Sequence, residues 1–247
     1  MKKLKKIKKS IFYILLIMVM THVNINVYAK ENYYRNENGV VLSKQEYDFI
    51  SNMYWEGYQE YLTLDDYNEI KALNLFNKPI EKEIKEYVDY PLTRGTSVTS
   101  NLRTLTIAKA CSDTCMISLV NKWNGNPTIK SYDVFGARVS GVSILDIRNA
   151  LVSATNYAKS YNNPKVYNNG FGFSVLIPNA ENIKTTITFV TTKGGRVYGS
   201  YQHSMQNTTE TISKQYSIGV GGYGKVFLFT GVASSIYENS PGVDIEV

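Results

Sequence analysis

The spacing of apolar residues divides the chain into a shorter first part with helical periodicity and a longer second part with the alternation of strands. In the first part, one helix face is predicted by residues that recur at intervals of three and four: Tyr47, Ile50, Tyr54, Tyr58 and Tyr61. A helix of a globular protein buries one such face. We therefore predict that this aromatic face is core, and stacking of its rings on a sugar is the alternative.

Two helix starts support the helical interpretation of this part. Ser43 precedes Glu46 by three residues, so each side chain can bond the other residue's backbone N–H in a capping box. Residues 63–66 offer a second start of the same kind. Pro79 ends the second run, and the charged stretch 80–90 is predicted to form a third helical segment.

From Thr93 onward the pattern is typical of strands. The segments 102–111 and 115–123 alternate apolar and polar residues, and turn-forming residues lie between Cys111 and Cys115. This pattern predicts a β-hairpin. Further strands are predicted at 128–135, 137–145, 171–177, 183–191, 197–203, 209–218 and 225–233, with 193–196 as a hairpin turn and 144–160 compatible with helix or strand.

Seven or more short strands separated by Gly, Asn and Pro indicate a sandwich or a partly open barrel. We therefore predict an α+β protein, in which a small N-terminal helical segment packs on a mainly antiparallel β-sandwich or partly open barrel. The predicted organisation is a signal peptide at residues 1–29, an acidic helical segment at 30–92 and a β-rich domain at 93–247.

The signal peptide is predicted from the order of charge, apolar run and small residues. Six lysines lie within residues 2–9, ten apolar residues follow from Ile11 to Met20, and Ala29 closes the segment. A membrane span needs roughly 20 apolar residues, so we expect cleavage between Ala29 and Lys30 rather than a stable membrane anchor. The chain is therefore predicted to be a secreted, extracellular bacterial protein.

Cleavage would change the charge of the protein. The chain has 27 basic and 21 acidic residues, and all six lysines of residues 2–9 would leave with the signal peptide. The rest is formally neutral, which argues against a nucleic-acid partner. Residues 30–92 carry 13 acids and 7 bases, whereas 93–247 carry 8 acids and 14 bases. We expect the two parts to attract each other; an anionic partner on the basic part is the alternative.

Cys111 and Cys115 are the two cysteines of the chain, and His203 is the one histidine after residue 29. In an exported protein an isolated cysteine pair indicates a structural disulfide. A zinc site would need further ligands of the same kinds. We therefore predict a disulfide, and no metal or other cofactor.

Two short motifs do not predict chemistry in this context. The stretch 219–224 fits G-x-G-x-x-G, but a strand-like segment follows it where a phosphate-binding loop needs a helix. His203 and Ser204 would form a base and a nucleophile only if both side chains faced one site. On a strand, adjacent side chains point to opposite faces, so a polar or core-edge histidine is the prediction.

The sequence favours a non-catalytic binding or interaction module over an enzyme. A glycan or an anionic wall polymer is the expected partner class, and no oligomeric state is predicted. One alternative is a pore-forming or membrane-active exoprotein that inserts the hairpin predicted within 183–218. The other is a carboxylate-dependent glycoside hydrolase, for which two acids must converge. Its candidates in the second part are Asp113, Asp133, Asp146, Glu181, Glu210, Glu238, Asp244 and Glu246.

Overall fold

The computed structural model describes residues 33–87, 103–219, 226–238 and 240–247. The predicted signal peptide, with its cleavage site between Ala29 and Lys30, lies outside the described residues, as does the predicted boundary at 92 and 93. Within the described ranges no helix is long and apolar enough to cross a membrane.

The described chain is mainly antiparallel β-structure with a few short helices. Its first strands are β1 (Tyr34–Arg35), β2 (Val41–Leu42), β3 (Glu81–Tyr87), β4 (Arg103–Cys111), β5 (Cys115–Trp123), β6 (Tyr132–Ser140), β7 (Ile144–Ile147) and β8 (Ala150–Ala154). The later strands are β9 (Tyr157–Tyr161), β10 (Lys165–Tyr167), β11 (Gly170–Leu176), β12 (Lys184–Thr191), β13 (Arg196–Gln202), β14 (Tyr216–Ile218), β15 (Phe227–Phe229) and β16 (Val243–Glu246). The helices are α1 (Lys44–Met53), α2 (Leu64–Ala72), α3 (Glu210–Ser213) and α4 (Ala233–Ile236), with a 3₁₀ turn at Tyr58–Tyr61.

Two sheets form a β-sandwich. The larger sheet has the order β3-β4-β5-β12-β8-β9, with β7 also paired to β12, and the smaller has the order β10-β11-β6-β13-β16. Their facing sides enclose one core, in which Leu119 and Phe189 of the larger sheet meet Phe135 and Phe171 of the smaller. Of the two predicted architectures, the sandwich is therefore the observed one.

The N-terminal helical layer packs on the outer face of the larger sheet, as predicted. Ile50 and Met53 of α1 share a buried cluster with Ala108, Ala110 and Met116 of β4 and β5. The small side chains of β4 leave room for α1. Burial of each larger apolar side chain in the cluster, such as Ile50 or Met53, stabilises the contact by about 1.5–3 kcal/mol. The predicted α+β fold, with a helical segment on a sandwich, is confirmed.

The outer face of the smaller sheet is covered by the C-terminal part of the chain. The strands β14 and β15 pair with each other, and Tyr216, Phe227 and Ile236 form a buried cluster with Val134 of β6. Central strands are thus buried on both faces, which explains their long runs of Val, Ile, Phe and Thr. The predicted strand after the glycine-rich stretch is present as β15, while 220–225 lie outside the described residues.

Both predicted helix starts are confirmed. Ser43 accepts a hydrogen bond from the Glu46 backbone, and the Glu46 carboxylate accepts one from the Ser43 backbone. Thr63 caps α2 by accepting from the Asp66 backbone N–H. The aromatic face does not lie on one helix, because α1 ends at Met53 and the chain then turns at Gly57, whose φ is +96°.

The helical prediction for residues 80–90 is wrong over 81–87. This segment is β3, which pairs antiparallel with β4 along its whole length. Its side chains are mostly exposed, so their burial does little to decide between strand and helix. Backbone hydrogen bonds to the edge of the larger sheet override the helix propensity of its Glu and Lys residues.

The hairpin prediction around 193–196 is also wrong. The strand before this turn, β12, lies in the larger sheet, and the strand after it, β13, lies in the smaller one. Residues 192–195 are therefore a connection between sheets. The alternative of a pore-forming exoprotein loses the amphipathic hairpin on which it depended, since both strands are central and largely buried.

Other strand boundaries differ in detail from the prediction. The segments 128–135 and 137–145 contribute to one continuous strand, β6, which passes through Gly136. The ambiguous stretch 144–160 contains β7, β8 and the start of β9. The segment 209–218 divides into α3 and β14 because Thr209 caps a short helix through the Ile212 backbone N–H.

Candidate functional site

A cleft of about 390 Å³ opens where the helical layer ends on the outer face of the larger sheet. One wall is formed by Tyr58 and Tyr61 of the 3₁₀ turn and by acidic residues of α2. The opposite side is formed by residues 146–149 and by Leu151 of β8. The cleft thus joins the two parts of the chain that differ in charge.

The acidic wall follows from the capping of α2. Thr63 fixes the start of the helix, so Asp65 and Asp66 lie in its first turn, where carboxylates are favoured by the helix dipole. Glu69 follows on the same side one turn later. All three carboxylates line the cleft.

The tyrosines of the wall are held in a stack. The rings of Tyr54 and Tyr58 lie parallel with centroids 3.9 Å apart, and the Thr188 hydroxyl donates a 3.0 Å hydrogen bond to the Tyr54 hydroxyl. Burial raises the pKa of Tyr54 to about 12 and raises that of Tyr58 well above its ordinary value. Both phenols therefore stay neutral at physiological pH.

The charge of the cleft is dominated by carboxylates. Asp65, Asp66, Glu69 and Asp146 line it together with one guanidinium, that of Arg148. Glu69 Oε2 lies 2.7 Å from Arg148 Nη1, and Asp146 Oδ2 lies 3.7 Å from Arg148 Nε. The arrangement presents acceptors for hydroxyl and amino groups beside apolar ring surface. Within the described residues no group of three or more His, Cys, Asp or Glu side chains could hold a metal ion.

A second polar cluster lies inside the sandwich around Asp133, which is fully buried. Its carboxylate accepts hydrogen bonds from the Tyr201 hydroxyl, from His203 Nδ1 at 2.9 Å and from the Ser204 backbone at 2.9 Å. The Ser204 hydroxyl also reaches Asp133. The prediction that His203 and Ser204 point apart is therefore wrong, since β13 has ended and both contact one carboxylate.

This buried cluster connects the sandwich to the C-terminal segment of the chain. His203 is only 5% exposed, and its ring packs edge-on against Trp123 with centroids 4.8 Å apart. Arg103 pairs with Glu238 beside it, and the Glu238 carboxylate accepts from the His203 backbone N–H. The cluster thus fastens the C-terminal segment to the end of the sandwich.

The predicted disulfide between Cys111 and Cys115 is confirmed. The two residues are directly opposite each other at the end of the β4–β5 hairpin, with Cα atoms 4.1 Å apart. It closes the turn and fixes the pairing register of two central strands.

Three of the eight predicted acids of the second part lie in these two places. Asp146 lines the cleft, whereas Asp133 and Glu238 contact His203 in the buried cluster. Tyr54, Tyr58 and Tyr61 all line the cleft, and Tyr54 is in addition a buried core residue. The sequence interpretation missed Arg148 and the acids of α2. The signal that could have found those acids is the capped helix start at 63–66, directly after the aromatic residues.

Comparison with protein-family models and with curated proteins gives no match. Among solved structures, the chain is similar to the collagen binding domain of the Erysipelothrix rhusiopathiae surface protein RspB, with 11% identity and a TM-score of 0.31. The match covers 53% of this chain and 53% of that chain, so it spans about half of each. A similarity of this size carries no argument about fold or function.

Proposed function

We propose that this protein is a non-catalytic binding module of the extracellular space, and that the cleft between the helical layer and the larger sheet binds a glycan. The observation that carries the proposal is the combination of tyrosine rings and carboxylates around one open cleft of about 390 Å³. Ligand sites commonly combine apolar surface with a few placed polar groups in this way.

The tyrosines would supply apolar contact with a sugar ring. Tyr58 and Tyr61 are each half-buried, so part of each ring is fixed by the protein and part remains accessible. A tyrosine gives contact area at small conformational cost, because few of its torsions have to be ordered. The stack of Tyr54 under Tyr58 holds the wall in place before a ligand arrives.

The carboxylates favour hydroxyl and amino groups over acidic groups at this position. Four carboxylates face one guanidinium in the cleft, and two of the four are already paired with it. A polymer of uniformly anionic units would be repelled here. Of the two expected partners, a glycan fits the cleft better than an anionic wall polymer.

A glycoside hydrolase is the second candidate, because the cleft brings Glu69 and Asp146 to one point. Such an enzyme needs one carboxyl group as an acid and another as a base or nucleophile. Here both carboxylates contact the same guanidinium of Arg148, which is the arrangement of a structural ion pair. This geometry supports binding without catalysis.

The extracellular location is also a proposal. The Cys111–Cys115 disulfide supports it, because disulfides persist in oxidising compartments. The N-terminal sequence pattern supports it independently.

Binding to a panel of oligosaccharides, with neutral, amino and acidic sugars, tests the proposal. We expect Tyr61→Ala to weaken binding of the best oligosaccharide about tenfold, from the loss of one ring contact. Tyr33→Ala is the matched control, since Tyr33 is 62% exposed and does not line the cleft. Equal affinities of the two variants would place the site elsewhere.

The same oligosaccharides distinguish the two candidates. Prolonged incubation with the protein should release no shorter products. Release of products that stops in Asp146→Asn, but continues in Asp113→Asn at the exposed hairpin turn, would establish the hydrolase instead.

A further inference from the structure

The outer face of the larger sheet continues beyond the cleft in register. On β12, Thr188, Thr186 and Lys184 alternate with inward-facing residues and so share the face toward the helical layer. Thr188 lines the cleft, and Thr186 is the Cα partner of Leu151, which also lines it. The Lys184 position follows about 7 Å further along the strand.

Two lysines lie side by side at that position. Lys184 is the Cα partner of Lys122 on β5 and of Ser153 on β8. Lys122 has the same parity on β5 as Ser118, whose hydroxyl bonds the Met53 carbonyl of the helical layer. Both side chains therefore project from the outer face, and their Cα atoms lie about 13 Å along the strands from the level of Thr188.

Aromatic rings connect the cleft with this lysine pair. The Trp55 ring contacts Tyr58 edge-on, with centroids 4.7 Å apart, and lies 6.4 Å from the Tyr61 ring. Lys184 Nζ also lies over the Trp55 ring, 5.3 Å from its centroid. The row of Tyr61, Tyr58 and Trp55 therefore borders the sheet from the acidic cleft to the lysines.

The lysine pair has no ion-pair partner in the described part of the chain. Neither Lys122 nor Lys184 forms an ion pair there, although seven other basic side chains do. Burial, and then the neighbouring charge of Lys122, lower the pKa of Lys184. An anionic group between the two amines would relieve this repulsion.

We propose that the ligand groove extends along Tyr58, Tyr61 and Trp55 to Lys122 and Lys184, and that this end binds an acidic substituent of the glycan. The inference rests on the proposed function of the cleft. The extended groove limits the ligand class to glycans with two kinds of group. Hydroxyl or amino groups of the glycan contact the carboxylates of the cleft, and an anionic group one or two sugar units away contacts the lysines.

Calorimetric titration with two oligosaccharides of equal length tests the groove. One is neutral, an N-acetylglucosamine hexamer, and the other is a hyaluronan hexamer with glucuronate in alternate positions. We expect the intact protein to prefer the glucuronate-containing hexamer, with a preference that falls as salt is raised. In the double variant Lys122→Met and Lys184→Met, the affinity for the acidic hexamer should fall about tenfold more than the affinity for the neutral hexamer, so that the preference is lost. Methionine keeps the apolar stem beside Trp55.

A second double variant controls for net charge. Lys78→Met with Lys214→Met removes the same charge from lysines outside the groove and should keep the preference. If the intact protein binds the neutral hexamer without preferring the acidic one, the groove extension is wrong and the proposed function stands. If the preference survives in Lys122→Met with Lys184→Met, the anion is bound elsewhere and the extension is wrong. If neither hexamer binds, both the extension and the glycan cleft are overturned.

Discussion

The fully buried carboxylate of Asp133 needs several compensating contacts. A fully buried carboxylate is tolerated only when hydrogen bonds or charges compensate it, and here a phenol, an imidazole, a hydroxyl and a backbone N–H all surround it. Removal of one partner leaves the charge under-compensated. The residues of this cluster therefore contribute to the stability of the fold.

His203 makes this stability depend on pH. Burial by itself lowers the pKa of His203, but the charge and hydrogen bond of Asp133, with the charge of Glu238, outweigh burial and raise the pKa above its ordinary value of 6.5. Arg103 opposes the shift in part. Because the folded state binds the proton more tightly, this stabilisation is fully present below about pH 6.5 and is lost as pH rises through the folded pKa.

We predict that His203→Gln lowers the free energy of unfolding by about 2 kcal/mol near pH 6 and by less at pH 9. His203 is the one histidine of residues 30–247, so urea unfolding from pH 6 upward and the titration of its ring by NMR report the same group. If the unfolding free energy of the wild-type protein does not decrease between pH 6 and pH 9, the assignment is contradicted.

At the scale of elements, the length of β6 depends on a glycine. In the sequence Gly136 looks like a break between two strands, but β6 continues through it. The reason is a close approach of β11: a Cβ at Gly136 would overlap the Phe171 carbonyl oxygen and lie 2.6 Å from Gly172 Cα. Neither neighbour is a flexible side-chain end, so the strands cannot adjust cheaply.

Gly136→Ala should therefore lower the free energy of unfolding by about 3 kcal/mol, since the overlap can be relieved only by moving paired backbone. Gly125→Ala is the matched control, because no atom lies within 4 Å of a Cβ there, and its effect should stay within about 0.5 kcal/mol. Urea denaturation of both variants measures the difference. Similar losses in the two variants would mean that β11 does not approach β6 this closely.

At the scale of the whole molecule, the layers are held together by apolar burial, and charge plays a smaller part. The ion pairs between the acidic part and the rest include Glu69–Arg148 and Glu81–Lys109, whose carboxylates are more than half exposed. Exposed pairs contribute below about 1 kcal/mol each. Burial of Ile50, Met53 and their neighbours outweighs them.

We predict that a chain beginning at Pro79, which lacks the helical layer but keeps β3, melts at least roughly 10 °C lower or aggregates, because Ala108, Ala110 and Met116 become exposed. Raising salt to 1 M should barely change the melting temperature of the chain that begins at Lys30. Calorimetry and gel filtration of both chains test this. A shortened chain that stays monomeric and melts at the same temperature would show that the layers are independent.

The sequence by itself determined the features that depend on near neighbours. The capped starts at Ser43 and Thr63, the β4–β5 hairpin and its disulfide, and the alternation that makes a sandwich all arise from contacts within a few residues or from strand periodicity. The absence of catalytic motifs and the predicted fold class favoured a binding module over an enzyme, but they did not locate a site.

The tertiary structure decided what depends on distant partners. β3 is a strand because the edge of β4 offers it hydrogen bonds, and residues 192–195 connect two sheets because β12 and β13 have partners far away in sequence. The cleft unites acids of α2 with Asp146 and Arg148, about 80 residues away in the chain. No local pattern contains such a pairing, because spacing along a chain does not specify which surfaces meet when the layers pack.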